Sequence, residues 1–344
     1  PLRSTLTRIS HQASTFNIGL DFTMLNQRLD FSFDWYQRTT SDMLVKVEYP
    51  EVLGTTAPPA NKAELRTRGW EVSVKWNDRI GNDFSYDLGF ILSDSQAEIT
   101  KYENPSGTLS DYYVGQKIGE IWGYETEGFY QSDTDVQNHA DQSKLGANWA
   151  PGDIMYKDLD GNKKINNGSN TLDDHGDLKV IGNTTPRYQY GITANMSYKN
   201  VYLNVFFQGI GKRDFWPSSQ PFWPVATQYY NTQKWFVTDS WSEDNRDAYF
   251  ARPIARETKN QQKQTKYLQD ASYCRLKNLT VGYDFPKSWL SFLHVAKAGV
   301  YFSAENLFEF TNVKGAYDPE AAGKNGTMVY PFQRTYSFGL NVTF

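Results

Sequence analysis

The run Asp158-Leu159-Asp160-Gly161-Asn162-Lys163-Lys164-Ile165-Asn166 is the stretch whose spacing could hold an ion. Side-chain oxygens stand at its first, third and fifth positions, Lys164 follows at the seventh, and apolar Ile165 at the eighth. Hard cations take oxygen ligands, and alternate residues of a curled loop can converge on one centre, so calcium is the chemistry this spacing suits. Two positions depart from that pattern. The sixth, ordinarily a glycine that permits a sharp turn, is Lys163, and the twelfth is Ser169 in place of a carboxylate. An Asn/Asp-rich turn without an ion is the competing reading.

A second set of candidates is aromatic. Trp216, Trp223, Tyr229, Tyr230, Trp235 and Trp241 crowd the segment 211–266, and Trp122 and Trp149 lie in the segment 93–186. Such rings can stack on sugar faces or peptide side chains, anchor a partner protein, or pack against one another within their own loops. Arg246, Arg252, Arg256 and Lys259 in the same segment read as a solvated loop face. His11, His139, His175 and His294 show no metal spacing, and no Ser/His/Asp or paired-carboxylate arrangement emerges, so the sequence offers no catalytic residues.

The elements that must position these loops are strands. Phe16, Ile18, Leu20, Phe22 and Met24 alternate with polar residues, the turn 26–28 follows, and Leu29, Phe31, Phe33 and Trp35 alternate back. Two alternating runs around so short a turn predict a β-hairpin. Further pairs are Trp70–Trp76 with Phe84–Leu92, Tyr188–Tyr198 with Leu203–Phe207, and Tyr273–Phe285 with Val295–Phe308. A ninth run ends the chain, where Tyr336, Phe338, Leu340, Val342 and Phe344 alternate with Ser337, Gly339, Asn341 and Thr343. A local hairpin is expected around Val114–Tyr130, and Tyr36 is expected at a membrane interface.

Connections alternate in length. They are short at 26–28, 77–83, 199–200 and 286–291, and long at 39–63, 93–186, 211–266 and 309–331. Loops beyond about 12–15 residues are uncommon in compact soluble domains. Short turns on one rim and long loops on the other are the pattern of an outer-membrane barrel. Asp21, Asp30 and Asp34 fall on the polar phase, where a lumen accepts them. The sequence therefore predicts an all-β protein, a transmembrane antiparallel β-barrel, over a soluble sandwich. Nine strands cannot close such a barrel, and the chain opens on Pro1 without a signal-peptide pattern, so 1–344 is expected to be the C-terminal portion of a larger barrel.

Composition agrees. The 344 residues include 23 Tyr, 21 Phe and 10 Trp, yet mean hydropathy is −0.65. No apolar run approaches the roughly 18 residues of a spanning helix. Net charge is −4, so no electrostatic case exists for nucleic acid. The single cysteine, Cys274, excludes an intrachain disulfide and reads as a small apolar strand residue.

Several runs, in order, resemble the SusC/RagA-like TonB-dependent receptors of the Bacteroidetes outer membrane. They are NIGLD at Asn17–Asp21, GWE at Gly69–Glu71, GDIMYKDLDG at Gly152–Gly161, YCRLKNLTVGY at Tyr273–Tyr283, FPKSWL at Phe285–Leu290, SAENLF at Ser303–Phe308, YDPE at Tyr317–Glu320, and YPFQRTYSFGLNVTF at Tyr330–Phe344. The resemblance implies a plugged barrel of roughly 22 strands, of which these about nine are the last. It also implies that the plug, the earlier strands and the segment contacting TonB lie outside this chain. Family members import glycan fragments or oligopeptides with a SusD-like surface lipoprotein as lid, and sit in outer-membrane lipid. The resemblance would set Asp177, after an insertion, in the place of the acidic residue that closes the family's ion-binding-like loop. The alternative is an outer-membrane barrel of structural or enzymatic role without TonB coupling.

Overall fold

In the computed structural model, residues 11–45, 60–219, 222–226, 232–291, 294–315, 317–322 and 332–344 are described. The strands are β1 (Gln12–Met24), β2 (Leu29–Val45), β3 (Ala60–Ile80), β4 (Phe84–Lys101), β5 (Glu120–Tyr124), β6 (Thr126–Phe129), β7 (Ile154–Tyr156), β8 (Leu178–Asn183), β9 (Arg187–Tyr198), β10 (Val201–Lys212), β11 (Asp214–Phe215), β12 (Gln269–Asp270), β13 (Tyr273–Asp284), β14 (Lys297–Thr311) and β15 (Thr335–Thr343). Three short helices, α1 (Asp133–Asn138), α2 (Lys234–Thr238) and α3 (Lys287–Leu290), lie in the connections. No described helix is long and apolar enough to cross a membrane.

Nine strands form one antiparallel sheet in the order β1-β2-β3-β4-β9-β10-β13-β14-β15. Every long-strand pair predicted from alternation is present, but several strands run further than their apolar residues. β2 continues to Val45, β3 begins at Ala60 and β4 reaches Lys101, so the loops 39–63 and 93–186 start later or end earlier than the sequence suggests. Ladder hydrogen bonds continue into polar segments once a neighbouring strand is there to receive them.

Register puts the apolar phases of all nine strands on one face. Across the sheet, Ile80 faces Phe84, Phe84 faces Tyr198, Tyr198 faces Val201, Val201 faces Tyr283, Tyr283 faces Val300, and Val300 faces Leu340. Side chains of that face are exposed despite being apolar, reaching 84% at Phe338 and 65% at Leu340. The opposite face is polar, with Ser85 bonded to Ser197 at 2.7 Å, Asn204 to Asn195 at 2.8 Å, and Lys75 paired with Asp87 at 3.2 Å. An apolar outer face backed by a polar inner one is the reverse of a water-soluble domain and the design of a barrel wall. On the inner face Tyr301 lies over Gly339 and Tyr36 over Gly69, where a Cβ would meet ring atoms at 2.2 and 2.5 Å. Tyr36 is thus on the polar face, contrary to its expected place at a membrane interface, because its ring fills the space that glycine leaves.

The short turns share one rim. Asn77 N donates to Arg28 O, Lys199 N to Asp83 O, and Asp284 N to Asn200 O, each at 2.8 Å, stitching neighbouring turns together along a single edge. The long connections leave from the other.

Candidate functional site

Two of the long connections, 102–186 and 213–272, fold into a common cap on the long-loop rim. The predicted hairpin around Val114–Tyr130 does not form. Instead β5 pairs with β8 and β6 with β7, so each half of that segment finds its partner across an intervening loop. The two connections are braced to each other: Tyr124 N donates to Lys263 O at 2.8 Å, and Thr126 Oγ1 to Gln264 Oε1 at 2.9 Å.

The core of the cap is aromatic. Tyr124, Phe129, Ile154, Tyr156, Ile165, Phe222, Trp223, Phe236, Trp241, Phe250 and Tyr267 are buried together, with Trp149, Trp216 and Trp235 packed against them. Trp216 and Trp223 have ring centroids 6.0 Å apart, and the Trp149 indole donates to Gly146 O at 3.0 Å. Gly152 takes φ +90°, and a Cβ there would lie 2.3 Å from the Trp241 ring, so the indole presses directly on the backbone. Trp122 stands apart from this core, half-buried, with its indole donating to Tyr113 Oη at 3.1 Å and its ring 5.5 Å from His175. Tyr229 and Tyr230 lie outside the described residues.

A charged cluster sits inside this core. Asp153 is fully buried and Lys259 is 2% exposed, and the Lys259 ammonium lies 2.9 Å from Asp153 Oδ2. Arg252 donates from Nε and Nη2 to the same carboxylate, each at 2.8 Å, and Asn260 Nδ2 donates at 2.9 Å. Burial alone would raise the Asp153 pKa; the hydrogen bonds from Arg252, Asn260 and Lys259 outweigh it and hold the carboxyl below its ordinary range. The solvated loop face expected for Arg252 and Lys259 is therefore wrong for these two. Asp153 supplies a buried counter-charge, and the Lys259 stem packs along the apolar interior with its ammonium over the Trp149 ring at 4.8 Å. Arg246 and Arg256 remain on the surface. Sequence reading missed this cluster, whose one trace was Asp153 between Gly152 and Ile154.

The acidic loop hangs from the same core. Ile165 is fully buried, and it and Asp141 tie two segments together, Asp141 N donating to Lys163 O at 2.9 Å and Ile165 N to Asp141 O at 2.8 Å. Asp158, Asp160 and Asp177 place carboxylate oxygens within 4.8 Å of one another. Lys163 adopts φ 61°, so the sixth position makes the left-handed turn although it is not glycine. The insertion returns Asp177 to the loop, where its oxygens accept from Leu159 N at 2.7 Å and Asn166 N at 2.9 Å. Asp158 accepts from Gly161 N and Lys163 N, both at 2.8 Å. Asn162 Oδ1 accepts from Lys164 N at 2.7 Å, and Lys164 O accepts from Asn166 Nδ2 at 3.1 Å. Among the described residues no lysine or arginine forms an ion pair with the three carboxylates. Three like charges this close, one fully buried, with only oxygen ligands on offer, fit a hard divalent cation. Burial, followed by the Asp177 carboxylate, pushes the nearby Tyr124 hydroxyl up to about 12.

No protein-family model matches the chain. TonB-dependent receptor P3 of Formosa agariphila is 30% identical over 354 residues, covering 95% of the chain and 34% of that receptor. The chain is related to the TonB-dependent receptors. SusC of Bacteroides thetaiotaomicron is 26% identical over 348 residues, covering 97% of the chain and 32% of SusC. The chain thus spans about a third of the length of these curated relatives. The fold matches a chain in the structure of the RagAB peptide transporter with a TM-score of 0.73 at 24% identity, over 97% of this chain and 35% of that one. The nine-stranded sheet and its cap therefore share the fold of that third of the matched chain.

Proposed function

We propose that this chain forms part of the wall and the outer cap of a TonB-dependent import receptor of the SusC/RagA type in the bacterial outer membrane. The observation that carries the reading is the relationship to TonB-dependent receptors across 95% of the chain, joined to a sheet whose apolar face points outward. Among the described residues β1 and β15 each pair on one side only. A plug, the earlier strands and the segment contacting TonB belong to the remainder of the same receptor. The cargo is glycan fragments or oligopeptides, as the resemblance to SusC/RagA-like receptors implies; one structural match is a peptide transporter.

The cap works with a SusD-like surface lipoprotein. Loops carrying Trp122, Trp149, Trp216, Trp223, Tyr229, Tyr230 and Trp241 supply the partner surface and the roof of the cargo chamber. Within them the packed indoles fix loop shape, while exposed Tyr112 and Val114 offer contact area. Calcium bound by Asp158, Asp160 and Asp177, with Asn162 and Lys164 on the same curl, stiffens the cap; the role is structural rather than catalytic.

Purification of the native receptor with its associated proteins and cargo, followed by mass spectrometry and hydrogen exchange, tests this reading. A surface lipoprotein and oligomeric ligand should co-purify, and removing the lipoprotein should lower protection across 105–150 and 211–266. Unchanged protection in both segments would rule out the lid.

A further inference from the structure

The short-turn rim carries a feature that the barrel wall does not require. After β13 the chain turns through Phe285 and Pro286 into α3, which buries Leu290 against the sheet and leaves Trp289 61% exposed. Tyr283, on the apolar phase of β13, lies 5.7 Å from Phe285, and Phe285 lies 6.2 Å from Trp289 by ring centroids. The three rings make a staircase that continues the apolar face beyond the last ladder pair of β13, Asp284 with Gly299. Lys287 opens the same helix and is exposed. On the neighbouring turn Tyr198 is 53% exposed, and the Lys199 ammonium lies 5.4 Å from the centre of its ring.

An indole standing free in water on a short turn loses the benefit of its apolar area. Trp and Tyr settle where an apolar body and a polar tip meet different solvents, and lysines beside them reach lipid phosphates. We propose that α3 is an interfacial foot: Trp289 seats in the headgroup layer of the leaflet on the short-turn side, with Lys287 and Lys199 beside lipid phosphates. The occupant is phospholipid rather than protein because the aromatic steps are continuous with the outward apolar face through Tyr283. This rests on the membrane reading proposed above.

Site-directed spin labelling of the complete receptor separates the two. With Cys274→Ser and any other cysteines removed, single nitroxides are placed by Trp289→Cys, Leu340→Cys and Asn82→Cys. The protein is reconstituted in vesicles of phosphatidylethanolamine and phosphatidylglycerol. Leu340 should collide with oxygen and hardly at all with a water-soluble nickel chelate, and Asn82 the reverse. Position 289 should fall between them, with nickel collisions several-fold below those at 82. Nickel access at 289 equal to that at 82 overturns the foot while leaving the membrane reading intact, as does protection of 289 from both reagents, which would mean a protein cover. Nickel access at Leu340 equal to that at Asn82 overturns the membrane reading, and the foot with it.

Discussion

The Asp153 carboxylate and the Lys259 ammonium meet 2.9 Å apart inside an aromatic core, although they come from different long loops of the chain. The pair binds the first connection to the second. Lys259 Nζ also donates to Ala147 O and Asn148 O at 2.9 and 2.8 Å, so its three donors are all satisfied. Lys259→Met leaves Asp153 with Arg252 and Asn260 but takes the donor from the Ala147 and Asn148 carbonyls. It should therefore destabilise the cap locally by about 1–3 kcal/mol. Hydrogen exchange of 140–160 and 250–267 measures it, and protection equal to that of the wild type would show the pair to be dispensable.

Acid should loosen the same joint. The Asp153 pKa is depressed in the folded cap, so its contribution is present above the unfolded carboxylate value of about 3.9 and disappears as pH falls through the folded value. Tryptophan emission followed from pH 6 downward should report exposure of the core indoles only below about 3.9. In Asp153→Asn that acid-dependent step should shrink; an identical titration in the variant would assign the acid sensitivity to another carboxylate.

Calcium should stabilise the cap, and the acidic loop should account for it. Adding calcium at a concentration about 100 times the dissociation constant should contribute about 2.7 kcal/mol, seen as a rise in the melting temperature of the cap. Asp177→Asn should abolish most of that rise, because its buried carboxylate closes the cluster. Equal calcium responses in the variant and the wild type would remove Asp158, Asp160 and Asp177 from any ion site.

The outward face should resist charge more than the inner one. Arg at Leu340 should cost about 2–4 kcal/mol if the position lies near the bilayer midplane, and Arg at Asn341 less. Unfolding in detergent or lipid vesicles compares the two, and equal losses would contradict the assignment of Leu340, with its 65% exposure, to the lipid side.

Period-two alternation determined the sheet, because each strand's side chains must sort between two solvents. From that, nine strands, their order and the single rim of short turns were legible from Phe16 to Phe344. The cap was not, because its contacts are irregular and long-range. Nothing local in Glu120–Tyr124 points to Leu178–Asn183 as its partner, or in Lys259 to Asp153. The acidic loop was half legible. Alternating oxygens at 158, 160 and 162 stood in the sequence, whereas the place of Asp177 depended on how the insertion folds back. Arg275 shows the same division. Counted by strict alternation it shares a phase with apolar Leu279 and Val281, yet register shifts between Leu276 and Asn278 at both neighbouring strands. The bulge moves Arg275 to the inner face, where its guanidinium reaches Asp318 and Glu320, each at 2.7 Å. One extra residue in a ladder reverses the face of everything beyond it, and only the tertiary pairing decides where that residue falls.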